Sequence, residues 1–308
     1  MSIAHVVQRI NKKYIKTINA LQNLPFAVAV EMSKSLIHEV MNLLVQKFDL
    51  IPIVGFSGGK ESTALLTLMV KTLRETEILD RLRIIYIEIP GNTHEENIRY
   101  VYSIIRRLKI NGTNFVHLRS NLDFYETLKK WGFPSFKRRW CMNIFKRKVL
   151  LDYVNSLGKD VIVFIGDRFS DSKRRFNLLS KKGTLEYNET WKQYTVHPIA
   201  HWTLSHVLSY LVLNNIELNP LYFKIGSSGN CVYCPFITDI DYYKRLRKFY
   251  PKWYKKILNV ELSMVKKGGA LYVANRVYRL YDILEQGNIT EQDLKFLKYK
   301  RPCYYCVY

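Results

Sequence analysis

An α/β fold with a doubly wound parallel sheet is predicted by three observations. Short apolar runs recur along the chain and alternate with segments of helical periodicity. The first such run ends in a glycine-rich turn that leads straight into a helix. The chain has 308 residues, 48% of them hydrophobic, enough for a large core and for two domains. Helices are expected before the sheet and a mostly helical region after it.

Residues 1–48 read as two helices. The first carries Ile3, Val6, Val7, Ile10 and Tyr14 at helical spacing, and the second carries Ile37, Val40, Met41, Leu44 and Phe48, with Pro25 between them. Strands are expected at Ile51–Phe56, Arg83–Ile87, Phe115–Leu118 and Val161–Ile165. Helices fall between them, around 60–77, 94–109 and 142–156. Residues 167–193 are polar and basic and read as a loop. Trp202–Leu213 reads as a helix, and 236–299 as several helices rich in Tyr, Lys and Arg. The expected division is 1–48 as an N-terminal helical segment, 49–235 as the sheet domain, and 236–308 as a helical, basic C-terminal region.

Ser57-Gly58-Gly59-Lys60-Glu61-Ser62 joins the first strand to the next helix. Backbone N–H groups in such a turn converge on one concavity, and the helix N-terminus adds partial positive charge. Two glycines admit an anion closely and Lys60 supplies a full charge, so the stretch suits phosphate or pyrophosphate. It is not the Walker loop, whose glycine precedes Gly-Lys-Ser/Thr by four residues. Here Gly55 is two residues before Gly58. The stretch resembles the PP-loop of the ATP pyrophosphatase superfamily, with Glu61 where Asp is usual. That resemblance implies ATP and Mg²⁺, with the loop gripping pyrophosphate while a substrate is adenylated.

Further blocks resemble the phosphoadenosine-phosphosulfate reductase family of that superfamily. Gly166, Arg168, Asp171, Ser172 and Arg175 match a Gly-x-Arg-x-x-acid-Ser-x-x-Arg signature just past the fourth strand. Arg139-Trp140-Cys141 with Lys146 resembles its Arg-x-Cys segment. His197-Pro198-Ile199, Asn219-Pro220-Leu221-Tyr222 and Gly229-Asn230-Cys231-Val232-Tyr233-Cys234-Pro235 resemble its later blocks. The resemblance covers about residues 50–236. It implies Lys60 and Cys141 as catalytic residues. Nucleotide binding falls to Ser57, Gly58, Gly59, Lys60, Glu61, Ser62, Gly166, Arg168, Asp171, Ser172 and Arg175. The stretch from Glu88 to Glu96 sits where the family contacts nucleotide. It also reads as a helix cap, with Thr93 as N-cap and Glu96 three residues on.

The five cysteines, Cys141, Cys231, Cys234, Cys303 and Cys306, include two Cys-x-x-Cys pairs. Three readings stay open: a tetrahedral zinc site made by both pairs, an iron–sulfur cluster using Cys141, Cys231 and Cys234, or redox-active or free thiols. The resembling reductases carry adjacent cysteines where this chain has Trp140-Cys141. The fourth ligand is then Cys303 or Cys306, or one iron stays open and binds sulfide, as in tRNA-thiolating PP-loop enzymes. His197 and His201 are four apart, but Pro198 opposes a shared helical face, so they are not read as a metal pair. His94 and His117 read as a cap and a strand residue.

Lys and Arg number 48 against 26 Asp and Glu, a net charge of +22. Basic clusters recur at 137–139, 146–148, 173–175, 244–248 and 298–301, interleaved with Trp131, Trp140, Tyr250, Trp253 and Tyr254. Charge with exposed rings suits nucleic acid, DNA and RNA alike. No apolar run approaches the roughly 20 residues of a membrane span, and the first helix is amphipathic and unlike a secretion signal. A cytoplasmic protein is therefore expected. The favoured function is ATP-dependent sulfur transfer to nucleic acid, of the tRNA-thiolation or DNA-phosphorothioation type, with a sulfur donor such as a cysteine desulfurase. Two alternatives are a sulfonucleotide reductase and a nucleic-acid-binding protein with structural zinc and a vestigial ATP site. A homodimer is among the open oligomeric arrangements.

Overall fold

The computed structural model describes residues 2–18, 24–135, 137–237, 239, 241–265, 271–273 and 276–278. They form two compact units, each gathered from separated stretches.

The first unit takes Met1–Ile87, Arg99–Leu118 and Leu150–Asn219. Two helices, α1 (Ile3–Ile18) and α2 (Phe26–Val40), lead in, and α2 continues as a π-helical turn, Met41–Gln46. The sheet follows: β1 (Ile51–Gly55), β2 (Arg83–Glu88), β3 (Phe115–Arg119), β4 (Val161–Phe164), β5 (Leu185–Asn188) and β6 (Gln193–Val196). Its order is β3-β2-β1-β4-β6-β5. β1 runs parallel to β2 and β4, and β4 parallel to β6, whereas β5 returns antiparallel along the edge. The chain builds outward from β1 in one direction and then restarts at β4 in the other. The strand order therefore reverses between β1 and β4, where open α/β sheets bind ligands at the strands' carboxyl ends.

β-branched residues dominate the sheet interior because they pack well on a pleated, buried surface. Ile53, Ile85, Val161 and Val163 meet Leu150 and Val154 of α7 (Lys148–Ser156) in one buried cluster. The helix after β1, α3 (Lys60–Glu75), is buried along most of its length and packs against α2 and α9 (Leu204–Leu213). Asn11 of α1 uses both ends of its carboxamide on Leu185 of β5. Trp202 donates to Ser33 Oγ at 2.9 Å, and Ser33 donates to the Pro198 carbonyl at 2.8 Å.

The second unit takes Glu88–Ile98, Arg119–Val149 and the chain from Pro220. It holds α5 (Phe124–Trp131), the short α6 (Trp140–Met142) with a π-helical turn at Asn143–Arg147, α10 (Leu221–Ile225), α11 (Asp241–Phe249) and α12 (Pro251–Val265). The core is aromatic: Phe124, Trp140, Phe145, Tyr233, Tyr242, Tyr243 and Tyr254 are all buried. Phe124 stacks on Trp140 with centroids 5.5 Å apart, and the Trp140 indole N–H reaches the Gly132 carbonyl at 3.1 Å. A buried indole needs such a partner. The remaining long helix, α4 (Glu95–Arg107), follows β2 in the chain.

The sequence reading needs four corrections. Residues 167–193 are not a loop: α8 (Lys173–Lys182), β5 and the start of β6 lie there. Lys173, Arg174, Arg175, Lys181 and Lys182 belong to α8, which is exposed along most of its length, and β5 pairs with β6 at the sheet edge. The region after 236 contains, besides α11 and α12, two short antiparallel strands, β7 (Leu271–Val273) and β8 (Arg276–Tyr278). Thr93 is not the cap of α4. Its hydroxyl accepts from Ile89 N–H and donates to the Asn230 carbonyl, and His94 Nδ1 accepts the Glu96 N–H at 3.1 Å instead. Of the rings expected outside, Trp140 and Tyr254 belong to the core. Cys303, Cys306 and the 298–301 cluster lie outside the described residues.

Candidate functional site: a phosphate loop and a thiol cluster

The first unit builds its site at the reversal of strand order. β1 ends at Gly55 and the loop Ser57–Ser62 turns into α3, whose N-cap is Gly59. Gly58 has φ +75°, a left-handed conformation that side chains resist. The loop is braced by its own hydroxyls. Ser57 and Ser62 hydroxyls lie 3.1 Å apart, Ser62 Oγ accepts the Ser57 N–H at 3.2 Å, and it donates to the Gly59 carbonyl at 2.9 Å. Buried Asn219 donates from Nδ2 to the Gly58 carbonyl at 3.3 Å. The turn is thus set before any anion arrives, which lowers the ordering cost of binding.

The segment after β4 lies against this loop. A Cβ on Gly166 would sit 3.0 Å from the Glu61 carbonyl carbon and oxygen and 3.2 Å from Ser62 N, so a side chain there would push the loop backbone back by a few tenths of an ångström. Arg168 is 6% exposed. Its guanidinium pairs with Glu61 at 3.2 Å and Asp171 at 2.8 Å, and reaches Ser170 Oγ at 3.1 Å. Its Nε is buried and has no partner. Glu61 also pairs with Lys60 at 3.0 Å. Arg175 pairs with Asp167, whose carboxyl burial pushes above the usual carboxylate range against that arginine. Ser172 caps α8 by accepting the Arg175 N–H at 3.2 Å. The residues read as nucleotide-binding in the 57–62 and 166–175 blocks therefore gather at the carboxyl ends of β1 and β4. A helix N-terminus, a lysine and two arginines around a glycine turn suit a polyphosphate.

The second unit assembles Cys141, Cys231 and Cys234, all half-buried and none in a disulfide. Burial, then the nearby Cys231 sulfur, pushes the Cys141 thiol up to about 11. The same two causes push Cys234 up to about 12. Lys146, in the π-helical turn after Cys141, is held charged beyond the ordinary lysine range, chiefly by Cys231, against burial. A thiol pushed this way stays protonated at neutral pH, and binding a soft metal displaces the proton. The three thiols suit a soft metal centre in donor type. Among the described residues no group of three or more His, Cys, Asp or Glu side chains is arranged to hold a metal ion.

The sequence pointed to these cysteines but missed what fixes them. Asn92, 1% exposed, donates from Nδ2 to the Tyr233 carbonyl at 2.9 Å and accepts the Tyr233 N–H at Oδ1, 2.8 Å away. Its own carbonyl accepts the Val232 N–H at 2.7 Å. The two central residues of Cys231-Val232-Tyr233-Cys234 are thus clamped by one asparagine. An asparagine in a loop carries no such signal in sequence; only the long-range pairing reveals it. His201 Nε2 meets the Ala29 carbonyl at 3.1 Å, and burial, then Arg175, lowers His197 to about 4. No helix among the described residues is long and apolar enough to cross a membrane.

A family model described as the phosphoadenosine phosphosulfate reductase domain matches residues 51–250. An uncharacterized protein of Methanocaldococcus jannaschii is 30% identical over 215 residues, which cover 70% of this chain and 42% of that protein. The chain thus spans less than half the length of this relative. Among solved structures, phosphoadenylyl-sulfate reductase from Candida auris in its phosphate complex is 16% identical with a TM-score of 0.44, covering 65% of this chain and 92% of that one. The U34-tRNA thiolase NcsA from Methanococcus maripaludis with its [4Fe-4S] cluster is 15% identical with a TM-score of 0.44, covering 87% and 91%.

Proposed function

Because this chain belongs to the phosphoadenosine phosphosulfate reductase domain family, we propose that it activates an acceptor with ATP and replaces the activated oxygen by sulfur, the acceptor being a nucleic acid. The observation that carries the reading is the braced loop after β1, linked through the Glu61–Arg168 ion pair to the segment after β4. A chain that only reduced a sulfonucleotide has no pyrophosphate to expel and no use for an intact loop lysine.

The loop amides and Lys60 would hold the terminal phosphates of ATP and stabilise the charge that builds on departing pyrophosphate, and Mg²⁺, when bound, would supply further positive charge there. Arg168 and Arg175 clamp the nucleotide from the β4 side. The acceptor oxygen attacks the α-phosphorus, the bond to pyrophosphate breaks, and the oxygen becomes part of an AMP leaving group. Hydrosulfide, released from a cysteine desulfurase persulfide by a thiol reductant that is itself oxidised to disulfide, then attacks the acceptor atom. AMP departs with the oxygen, and the sulfur's proton passes to solvent. Cys141, Cys231 and Cys234 would hold an iron–sulfur cluster or zinc, with Cys303 or Cys306 as a further ligand. Such a centre, when bound, supplies a soft Lewis acid for sulfur. The net charge of +22 supports a polyanionic acceptor, tRNA or DNA.

The test is purified full-length protein with ATP, Mg²⁺, sulfide and either tRNA or DNA. Pyrophosphate release and a thiolated product by mass spectrometry are expected. No pyrophosphate with any nucleic acid and sulfur donor would overturn the reading. The family match itself favours a second reading, sulfonucleotide reduction, which sulfite formation from adenylyl sulfate or its 3′-phosphate with a thiol reductant would establish.

A further inference from the structure

We propose that two exposed, arginine-capped rings beside the thiol cluster, Trp131 with Arg138 and Phe236 with Arg139, form a platform that stacks unpaired nucleobases. This rests on the reading that the acceptor is nucleic acid and names the surface that would engage it.

Most large rings of the second unit are buried, and these two are not. Trp131, at the last position of α5, is 48% exposed, and Phe236 is 39% exposed. Each has a guanidinium beside its ring. Arg138 lies 5.8 Å from the Trp131 centroid, and Arg139 lies 4.8 Å from that of Phe236. A planar guanidinium against a ring restricts both side chains and gives a flat surface that suits the π-face of any base.

The platform is tied to the cysteines by the chain itself. Arg139 is two residues before Cys141 and Phe236 is two residues after Cys234, so their contact joins the two cysteine-bearing stretches. Residues on either side of the two arginines are held by hydrogen bonds. Trp140 donates to the Gly132 carbonyl at 3.1 Å, and the Tyr233 hydroxyl donates to the Pro134 carbonyl at 3.3 Å. Rings packed against arginines whose neighbours are held in this way lose little freedom when a base lands on them.

Charge selects the occupant. Between Thr127 and Leu151 the sequence has eight Lys and Arg and no Asp or Glu. Lys129, Lys130, Lys137, Arg138 and Lys148 among them are exposed, which complements a phosphate backbone, and the rings interleaved with them suit base stacking. An anionic lipid surface would use the charge and leave the two rings without a role.

The experiment is binding of the full-length protein to a fluorescently labelled single-stranded oligonucleotide, and to the duplex of the same sequence, at matched salt and without ATP. Trp131→Ala and Phe236→Ala are each expected to weaken single-strand binding about tenfold. Trp131→Phe should restore most of the loss, and duplex binding should change by less than about twofold, because paired bases are hidden. Unchanged single-strand affinity in both alanine variants overturns the proposal. So does an equal loss on single strand and duplex, or ring-dependent binding to phosphatidylserine vesicles instead of the oligonucleotide. Pyrophosphate release by the wild-type protein is measured separately, so failure of the platform and failure of the ATP chemistry give different results.

Discussion

Glu61 and Arg168 meet at 3.2 Å across the reversal of strand order, joining the phosphate loop to the signature after β4. Glu61 is one methylene longer than the residue usual at its position, and that length spans to a buried guanidinium. Glu61→Gln keeps the shape and removes the charge, leaving Arg168 to Asp171. A stability loss of about 1–2 kcal/mol is expected from a partly buried ion pair with one partner remaining. ATP binding should weaken about tenfold, one factor of ten for every 1.4 kcal/mol. Urea unfolding and calorimetric ATP titration measure the two effects.

Gly166→Ala places a methyl group 3.0 Å from the Glu61 backbone, inside normal contact distance. The site is a loop after a strand, so the sheet is expected to fold and the loop to shift. Binding of ATP with Mg²⁺ should fall more than about tenfold. The thermal shift on adding ATP would then vanish while the melting temperature of the free protein moves by only a few degrees. A variant that keeps the wild-type ATP shift contradicts the close packing of these two segments.

Asn92→Ala strips the Tyr233 N–H and carbonyl of their partner in a buried setting. Unsatisfied buried backbone groups cost about 1–3 kcal/mol. The loss in unfolding free energy should fall in that range, and it should be accompanied by lower iron or zinc content in anaerobically purified protein. Wild-type metal content together with the stability loss would show that the clamp does not organise Cys231 and Cys234.

His197 supplies a pH signature. Burial, then Arg175, lowers it from 6.5 to about 4. On acidification the unfolded chain therefore binds the proton first. Stability is intact above pH 6.5 and declines as pH falls toward 4, by roughly 3 kcal/mol in all, at 1.36 kcal/mol per pH unit. Urea midpoints at pH 7.5, 6 and 5 read the decline, and His197→Gln should flatten it. An unchanged slope in the variant would assign the acid sensitivity to other groups.

Strands β1 to β4 were legible because buried β-branched runs have a short, regular signature. The phosphate loop was legible because its chemistry sits in six consecutive residues. Segment 167–193 was not, because its helix is almost wholly solvated and its full strand, β5, is the sheet's edge strand, where tertiary pairing overrides a polar sequence. The reading of Thr93 as the α4 cap failed for a related reason, whereas the reading of His94 as a cap residue holds. Thr93 has a competing long-range partner in Asn230, and His94 takes over its role.

By itself the sequence determined what is local: the alternation that makes a parallel sheet, the glycine turn at its edge, the thiols, and the excess of positive charge. The tertiary structure alone decided that Glu61 reaches Arg168, that Asn92 grips the middle of the Cys231–Cys234 turn, and which aromatic rings face solvent. Each of these pairs residues far apart in the chain. A hydrogen bond or ion pair between them depends on the fold closing the intervening loop, and no periodicity or short motif records that closure.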